Sequence, residues 1–435
     1  MWRRDLAIAF RARVTWIAIA VAAIVVGHGF VLAIDLYSAA SRSALDNVLM
    51  RRELDPLAGV VRPTLGGSQL AVAVLVPVIA ARVLSVEKER NTFGALALAA
   101  GSPGLVVLRR TLVAFAAASL VLVAPSVLLL AFVSFGGHVD VPEAAVAFAG
   151  HGLHVALVAV ASVAAAAWTR SVAQATTLAI VFSLSSWSIE ASEGFSALAW
   201  LAPLEAAAVT RQLAPFEGGV VRTGAILWFI VMTTTSTTMG WLGARFDLDL
   251  RKRIFGACGL AVVAVVGALL STRVQRAHDW TELGRASLPP MAVTELRALD
   301  GPIELEIWLD REDSRRKQLE RDALAKLLLA RSDVRIFTPL DRGLATVTHD
   351  ERYGTIRVRV GAEVRETRSA SRRELVTLIF EAAGRPLPDW SQQAYPGYPF
   401  VVDGWRRSFL GALAYLGLPG SFLAIAWLST HRRRR

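Results

Sequence analysis

Residues Ser85–Arg110 read SVEKERNTFGALALAAGSPGLVVLRR and lie between two long apolar runs. The charges are concentrated at Glu87–Arg90 and at the closing Arg109–Arg110 pair. A charged side chain at the centre of a bilayer costs roughly 2.5 to 3.5 kcal/mol, so this stretch belongs at a membrane surface. It predicts a polar connection between two membrane-spanning helices. On residue pattern alone, an ordinary amphipathic loop and a surface for a soluble partner explain it equally well.

The rest of the chain is strongly apolar. Hydrophobic residues make up 54% of the sequence, charged residues 19%, and the mean hydropathy is +0.47, values typical of membrane proteins. Eight uncharged runs approach the roughly 20 residues that a helix needs to cross a bilayer. They are Val14–Ile34, Leu65–Ala81, Thr111–Phe135, Ala144–Trp168, Val172–Ile189, Thr223–Leu242, Ile254–Leu270 and Phe409–Leu428. We therefore predict an α-helical multi-pass membrane protein with about eight transmembrane helices.

The positions of Lys and Arg predict the orientation of these spans. Basic residues accumulate on the cytoplasmic side of short loops. They cluster before the first run, around Ser85–Arg110, at Arg245–Arg253 and at Arg432–Arg435, all of which fall on one side of an eight-span arrangement. The opposite side also carries arginines, but in longer loops mixed with Asp and Glu. The distribution predicts that both termini lie in the cytoplasm.

The net charge of +11 raises the question of nucleic-acid binding. Thr272–Gly404 contains 21 basic and 21 acidic residues, so the whole surplus belongs to the membrane-embedded part. There it acts as an orientation signal and favours contact with anionic membrane lipid. We therefore predict no nucleic-acid partner.

Thr272–Gly404 has the pattern of a folded α/β domain inserted before the last span. Alternating apolar residues predict strands at Pro302–Asp310, Val334–Thr338, Gly354–Val360 and Ala362–Thr367, the last two joined as a hairpin at Gly361–Ala362. Helical spacing predicts helices at Ser314–Arg331 and Ser371–Ala383, the second with Ser371 as N-cap and Glu374 in a capping box. Because seven spans precede it, we expect this domain to be extracytoplasmic. Trp390–Tyr398, rich in aromatic residues, Pro and Gly, suits the interfacial approach to the last span.

The predicted domain order follows from these assignments. An amphipathic elbow helix (1–13) precedes a six-helix membrane domain (14–250) and a seventh span (251–271). The extracytoplasmic α/β domain (272–404) and an eighth span with a basic cytoplasmic tail (405–435) complete the chain.

Motifs of catalytic or metal sites are missing from the sequence. It lacks a phosphate-binding GxxxxGK[ST] loop, GxSxG and HExxH, and its one cysteine, Cys258, lies inside an apolar run. His151 and His154 are spaced to share one side of a helix, and His28 lies in the first run. Buried polar groups at membrane depth are often functional, so these three define a candidate intramembrane polar site. Packing against a neighbouring helix is the favoured interpretation, and a membrane-embedded enzyme is the weakest because no acid, nucleophile or metal cluster converges.

The segment EKERNTFGALALAAGSP resembles the coupling segment of type-2 ABC-transporter permeases, which often reads E-x-E-x-G-T before a Leu-rich stretch and Ser/Thr-Pro. Glu87, Glu89, Thr92 and Ser102-Pro103 match that pattern, whereas Asn91 stands where Gly is usual. Trp200–Phe229 is similar to the outer loop before the last core helix of such permeases. Asp279–Asp310 is similar to the start of the extracytoplasmic domain in gliding-motility-type ABC accessory subunits.

This resemblance implies a permease of the gliding-motility or multidrug type, fused to a shortened accessory domain, in a bacterial inner (plasma) membrane. It implies a separate cytoplasmic ABC ATPase that binds ATP and Mg, no cofactor in this chain, and a second permease chain forming a homodimer or heterodimer. The implied ATPase contacts are Glu87, Lys88, Glu89, Arg90, Asn91 and Thr92. The implied function is substrate export. The alternative is an ATPase-driven scaffold that moves the extracytoplasmic domain or a periplasmic envelope partner without transport.

Overall fold

The computed structural model describes residues 2–191, 204, 207–274, 276–310, 313–331, 333–340, 352–388 and 395–431. The chain forms two compact units. The first comprises Met1–Val274 with Tyr395–Arg435, and the second comprises Gln275–Ala394.

The first unit is helical. Its helices are α1 (Trp2–Phe10), α2 (Arg13–Ala44), α3 (Val48–Arg52), α4 (Arg62–Glu89), α5 (Phe93–Ala100), α6 (Pro103–Ala118), α7 (Val123–Ser134), α8 (Val141–Trp168), α9 (Val172–Ala191), α10 (Val209–Glu217), α11 (Thr223–Gly243) and α12 (Leu250–Ser271). A wide π turn at Leu57–Val61 leads into α4, a tight 3₁₀ turn at Ser119–Leu122 joins α6 to α7, and a short strand β1 (Val220–Arg222) precedes α11.

Eight helices in the described residues are long and apolar enough to cross a membrane, which agrees with the predicted number. They are Arg13–Ala44, Leu57–Glu89, Pro103–Ser134, Val141–Trp168, Val172–Ile189, Thr223–Gly243, Leu250–Ser271 and Gly404–Ser429. Several extend beyond the predicted runs because polar residues at their ends continue the same helix. The predicted elbow is also helical, as α1.

Helices α4 and α8 form the centre of this unit. Helix α4 packs against α2, α6, α8 and α9, and α8 packs in turn against α6, α9 and α11. Their buried faces consist mainly of Ala and Val, whose small side chains let helix backbones approach closely. The two helices therefore connect most of the other spans.

The sequence predicts the inserted domain between the last two spans. In the structure each packs mainly on a different helix of the six-span part: α12 on α11, and the last span on α2. Glycine permits both contacts. A Cβ on Gly27 would lie 2.8 Å from the carbonyl oxygen of Ala414, and one on Gly267 would lie 2.8 Å from Cγ1 of Val231.

The second unit contains β2 (Ala277–Asp279), α13 (Pro290–Arg297), β3 (Ile303–Ile307), α14 (Ser314–Gln318), α15 (Ala325–Ala330), β4 (Arg335–Phe337), β5 (Ile356–Val360), β6 (Glu363–Thr367) and α16 (Arg372–Ala382). A π turn at Leu319–Leu324 joins α14 to α15. Four strands form a sheet in the order β4-β3-β5-β6, with β3 parallel to β4 and the other pairs antiparallel. Apolar residues of these strands and helices form a separate core.

The four predicted strands and two predicted helices of this unit are confirmed, including the hairpin, where Gly361 has a φ of +63°. The predicted capping box is wrong. Ser371 is the N-cap residue of α16, but its side chain makes no capping hydrogen bond. Glu374 instead accepts a hydrogen bond of 2.7 Å from Oγ1 of Thr367, because the end of β6 lies beside the first turn of α16.

After the second unit, residues 395–403 lead the chain back to the first unit, and we call them the returning segment. They are followed by α17 (Gly404–Ala412), a π turn at Leu413–Gly417 and α18 (Leu418–His431). The predicted α/β domain ends at Gly404, whereas the second unit of the structure ends before Tyr395. Of the predicted interfacial stretch Trp390–Tyr398, residues 390–394 lie outside the described residues.

The returning segment belongs to the first unit because its backbone is hydrogen-bonded to α2. The amide of Val402 donates to the hydroxyl of Ser38 (3.0 Å), and the amide of Phe400 donates to that of Ser41 (2.9 Å). The hydroxyl of Tyr37 donates to the carbonyl of Tyr398 (2.8 Å). These bonds join the returning segment to the first span.

Candidate functional site

The predicted coupling residues lie at the end of α4 and in the turn that follows. The Glu87 carboxylate accepts a hydrogen bond of 2.5 Å from the hydroxyl of Thr92, and the Thr92 amide donates to the Glu87 carbonyl (2.9 Å). Asn91 has a φ of +55°, a left-handed conformation that glycine adopts freely and asparagine tolerates best among the other residues. This backbone requirement explains why Asn can stand at the position where the permease pattern has Gly.

Lys88 and Glu89 connect this end of α4 to two neighbouring helices. The Lys88 ammonium donates to the carbonyls of Ala166 (2.9 Å), Ala167 (2.8 Å) and Thr169, at the end of α8. The Glu89 carboxylate accepts a hydrogen bond of 2.8 Å from the amide of Val172, the first residue of α9. A cation at a helix C-terminus and an anion at an N-terminus both satisfy unpaired backbone groups and interact favourably with the helix dipole.

Arg110 joins the turn to the elbow helix. Its guanidinium lies 3.3 Å from the carboxylate of Glu87 and 3.3 Å from that of Asp5 in α1, and only 7% of the side chain is exposed. Helix α1 packs against α6, which carries Arg110. The same arginine therefore positions both the elbow helix and the predicted coupling residues.

Helix α5 follows the turn and packs against α6, with Leu96, Ala97 and Ala100 partly buried against the core. Phe93 is buried and makes an edge-to-face contact with Phe246, with ring centroids 5.8 Å apart. Leu98, one turn further along, is 86% exposed. Gly101, with a φ of +75°, ends α5, and Ser102 caps α6 through a 3.1 Å bond to the amide of Gly104, as the Ser-Pro-Gly break predicts.

Two of the six predicted contact residues, Glu87 and Lys88, are partly buried and bonded within the chain. Glu89 and Thr92 are bonded within the chain but exposed, and Arg90 and Asn91 are exposed as well. The most exposed apolar residue of this region is Leu98. The arrangement can transmit a force applied at α5 into the ends of α4, α8 and α9.

The candidate intramembrane histidines do not form one site. Nδ1 of His28, on α2, lies 2.8 Å from the hydroxyl oxygen of Tyr415 in the last span. This is a contact with a neighbouring helix, the interpretation that the sequence favours. His151 and His154 are both buried on α8, one turn apart.

His151 belongs to a charged cluster centred on Glu217, the last residue of α10. The Glu217 carboxylate accepts hydrogen bonds from Nε2 of Gln69 (2.5 Å) and Nε2 of His151 (3.2 Å), and its other oxygen lies 3.4 Å from Nε of Arg62. Burial acts to raise the pKa of Glu217, but the bond from His151, the positive charges and the Gln69 bond outweigh it and lower the pKa overall.

Several buried polar atoms on the helices around this cluster have no hydrogen-bond partner. They are Nδ1 of His151, Nδ1 of His154, Oγ of Ser68, Oγ1 of Thr210 and Nε1 of Trp228. Most buried polar atoms in proteins are hydrogen-bonded, so such a group indicates bound water or a functional role. Among the described residues, no group of three or more His, Cys, Asp or Glu side chains is arranged to hold a metal ion.

Sequence reasoning missed four residues of these arrangements: Arg62, Gln69, Arg110 and Glu217. Glu217 and Arg62 lie outside the predicted apolar runs and look like ordinary loop charges, and Arg110 looks like one of many basic flanking residues. A partial signal exists for Glu217, since it stands alone as an acid within the apolar surroundings of α10.

Comparison of the chain with protein-family models, with curated proteins and with solved structures finds no match.

Proposed function

We propose that this chain is the membrane-spanning permease subunit of an ABC transporter that exports its substrate from a bacterial cell. A separate cytoplasmic ATPase binds ATP and Mg and supplies the energy, and a second permease chain completes the translocation path. The chain itself does not hydrolyse ATP, because its sequence has no phosphate-binding loop. Both termini and α5 face the cytoplasm, and the second unit faces the opposite side.

Helix α5 is the observation that carries this proposal. It is a short helix after the second span, anchored by Phe93 at one end and presenting Leu98, 86% exposed, at the other. A large apolar side chain at the aqueous end of a membrane helix bundle is stabilised when a partner covers it. The position in the chain and the resemblance of the preceding residues support the ATPase as that partner.

The charges of α4 supply the connection between this contact and the spans. Glu87 holds the turn before α5, Lys88 bonds to the end of α8, and Glu89 bonds to the start of α9. A displacement of α5 on nucleotide binding would therefore act on α4, α8 and α9 together. Such a displacement can bias the spans between inward-open and outward-open states.

Replacing Leu98 with Asp tests the contact. We expect Leu98→Asp to reduce co-purification of the ATPase at least tenfold, because a charge replaces the apolar side chain that the partner covers. The thermal stability of the chain should stay unchanged. The matched control is Leu49→Asp, on the short helix α3, where Leu49 is 73% exposed at the other end of the bundle. Equal ATPase recovery with Leu98→Asp and with the unmodified chain would contradict the proposal.

A scaffold that moves the second unit is a second candidate, and the packing of the flanking spans favours it. The second unit is connected to α12, which packs on α11, and to the returning segment, which is bonded to α2. If ATP-driven motion separates α11 from α2, the two attachment points move apart as well.

Spin labels at Ser314 and at Leu49, in a Cys258→Ala background, test this candidate by pulsed electron resonance. Under the scaffold hypothesis the distance between the labels changes when ATP and vanadate are added to the complex. An unchanged distance, together with ATP-dependent export by the same preparation, would leave transport as the function.

A further inference from the structure

The cluster around Glu217 lies at the end of the bundle opposite Ser85–Arg110. Arg62 starts α4, and His151 lies ten residues into α8, about 15 Å from its first residue. In the orientation that the Lys and Arg distribution favours, this is the outer half of the membrane. The side chain of Arg62 is 49% exposed, whereas those of Glu217 and His151 are 6% and 0% exposed. Arg62 is therefore the member of the cluster that reaches solvent, and it contacts the buried pair through Glu217.

The hydrogen bonds determine the protonation state of the cluster at rest. Gln69, His151 and Arg62 all direct donors at the carboxylate of Glu217, so this carboxyl is ionised. His151 gives its Nε2–H to Glu217, which leaves Nδ1 as an unprotonated acceptor that is buried and has no partner. One cation, Arg62, thus balances one anion, Glu217.

A proton bound at Nδ1 of His151 would change this balance. It would place a second cation beside the one buried carboxylate, and an uncompensated buried charge costs several kcal/mol. The guanidinium of Arg62 can relieve the excess because it is half exposed and can move into water. The π turn at Leu57–Val61 directly precedes Arg62, and such turns are frequent where helices rearrange at functional sites.

We propose that His151, Glu217 and Arg62 form a proton-binding site in which a proton from the outer solution, held at Nδ1 of His151, replaces the guanidinium of Arg62 as the counter-ion of Glu217. Hydronium supplies the proton, one N–H bond forms, and the net charge of the buried pair stays at zero. The site goes beyond the proposed function and does not rest on it.

Other ionisable groups lie on the elements packed around His151. Near the outer half of α8 they are His154 and Glu143 on α8 itself, Arg211 on α10, Arg222 on β1 and Glu190 on α9, while α11 carries none. The remaining ionisable residues of α4 and α6 lie towards the other end of the bundle: Arg82, Glu87, Lys88, Glu89, Arg109 and Arg110. Glu143 is buried near the outer end of α8, and Arg222 is partly buried with Nε unpaired. His154 lies one turn from His151 on the inner side, so its charge would oppose an imidazolium at His151.

The test uses the full chain in lipid bilayers with ¹⁵N-labelled histidine, read by solid-state magnetic resonance. The ¹⁵N shifts distinguish the two neutral tautomers from the imidazolium, and His151→Gln identifies the His151 signals among the seven histidines. We expect the Nε2–H tautomer at about pH 8 and the imidazolium at about pH 5 in the unmodified chain. A neutral His151 at about pH 5 overturns the proposal.

Variants test the exchange itself at about pH 6. Glu217→Gln should lower the imidazolium fraction of His151 at least about threefold, whereas Glu217→Asp should preserve it. Arg62→Gln should raise the imidazolium fraction, because the cation that competes for Glu217 is gone. Arg211→Gln, which removes the same charge from α10, is the matched control and should change nothing. An imidazolium fraction that is insensitive to both Glu217→Gln and Arg62→Gln would show a passive hydrogen bond instead of a proton-binding site.

Discussion

Charged residues at the ends of the spans mostly bond within the chain. Lys88 reaches carbonyls 78 and 79 residues later in the sequence, and Glu89 reaches an amide 83 residues later. These bonds satisfy backbone groups that helix termini would otherwise leave unpaired. The sequence alone suggests that Glu87 and Glu89 are surface charges for a partner, and the structure adds a structural role for both. Charge reversal at these positions would therefore disturb the fold as well as a partner, which makes Leu98 the cleaner probe.

Arg110 should contribute more to stability than its neighbour. We expect Arg110→Met to lower the free energy of unfolding by about 2 to 3 kcal/mol, because it leaves Asp5 and Glu87 without their shared partner. The loss is smaller than for a fully buried ion pair because both carboxylates are partly exposed. Thermal unfolding in detergent measures the change. Arg109→Met, at an exposed position next in sequence, is the control, and an equal loss in both variants would refute the role of Arg110.

Asp313 gives the second unit a defined acid sensitivity. The hydrogen bond from Arg315, opposed by burial and aided by the Arg315 amide and Tyr353, lowers the pKa of Asp313 to about 2. Because the folded pKa lies below the unfolded value of about 3.9, its stabilisation is present above about pH 4 and is lost as the pH falls towards 2. We expect Asp313→Asn to destabilise this region at neutral pH. We also expect the variant to lose less stability than the unmodified chain as the pH falls from about 4 to about 2.

Hydrogen exchange of the full chain, corrected for the intrinsic pH dependence, measures this effect in peptides that contain β3 and α14. Glu363→Gln, at the exposed edge strand, provides the control. An acid profile of Asp313→Asn parallel to that of the unmodified chain would count against the role of Asp313.

At the scale of elements, small residues determine which spans pack together. Gly27 lets α2 approach the π turn of the last span, where a Cβ would lie 2.8 Å from the carbonyl oxygen of Ala414. The eight spans could be predicted because long apolar runs mark them, and β3 to β6 and α14 to α16 because apolar periodicity marks them. The short elements α10, α13, β1 and β2 were not predicted. The pairing of α12 with α11 and of the last span with α2 could not, because glycines and buried hydroxyls carry no signal of their distant partners. The same limit applies to Glu217, whose partners lie on two other helices.

Substitution of Gly27 tests this packing. We expect Gly27→Ala to lower the melting temperature of the detergent-solubilised chain and to weaken the bond between His28 and Tyr415, because the added methyl group forces the two helices apart. Gly66→Ala, also in a span but with nothing within 4 Å of the added Cβ, is the control and should be neutral or slightly stabilising. Equal melting temperatures of the two variants would contradict the close contact at Gly27.

At the scale of the whole molecule, the eight apolar helices and the inserted α/β unit could be predicted from composition and periodicity alone. The orientation remains a prediction, and single cysteines in a Cys258→Ala background test it. Ser314→Cys should react with an impermeant thiol reagent in intact cells, and Ala99→Cys should react only after the cells are opened; both positions are exposed. Reversed labelling would place the second unit in the cytoplasm and exclude the proposed orientation.

The contacts of α2 have a consequence for biogenesis. Asp35 bonds to Arg407, and Ser38, Ser41 and His28 bond to groups 359 to 387 residues further along the chain. Until those residues are inserted, these side chains of the first span lack the partners that they have in the folded chain. Insertion of the last span is therefore the step that completes the contacts of the first span, and we expect a nascent chain that stops before residue 395 to leave Asp35 without its arginine partner.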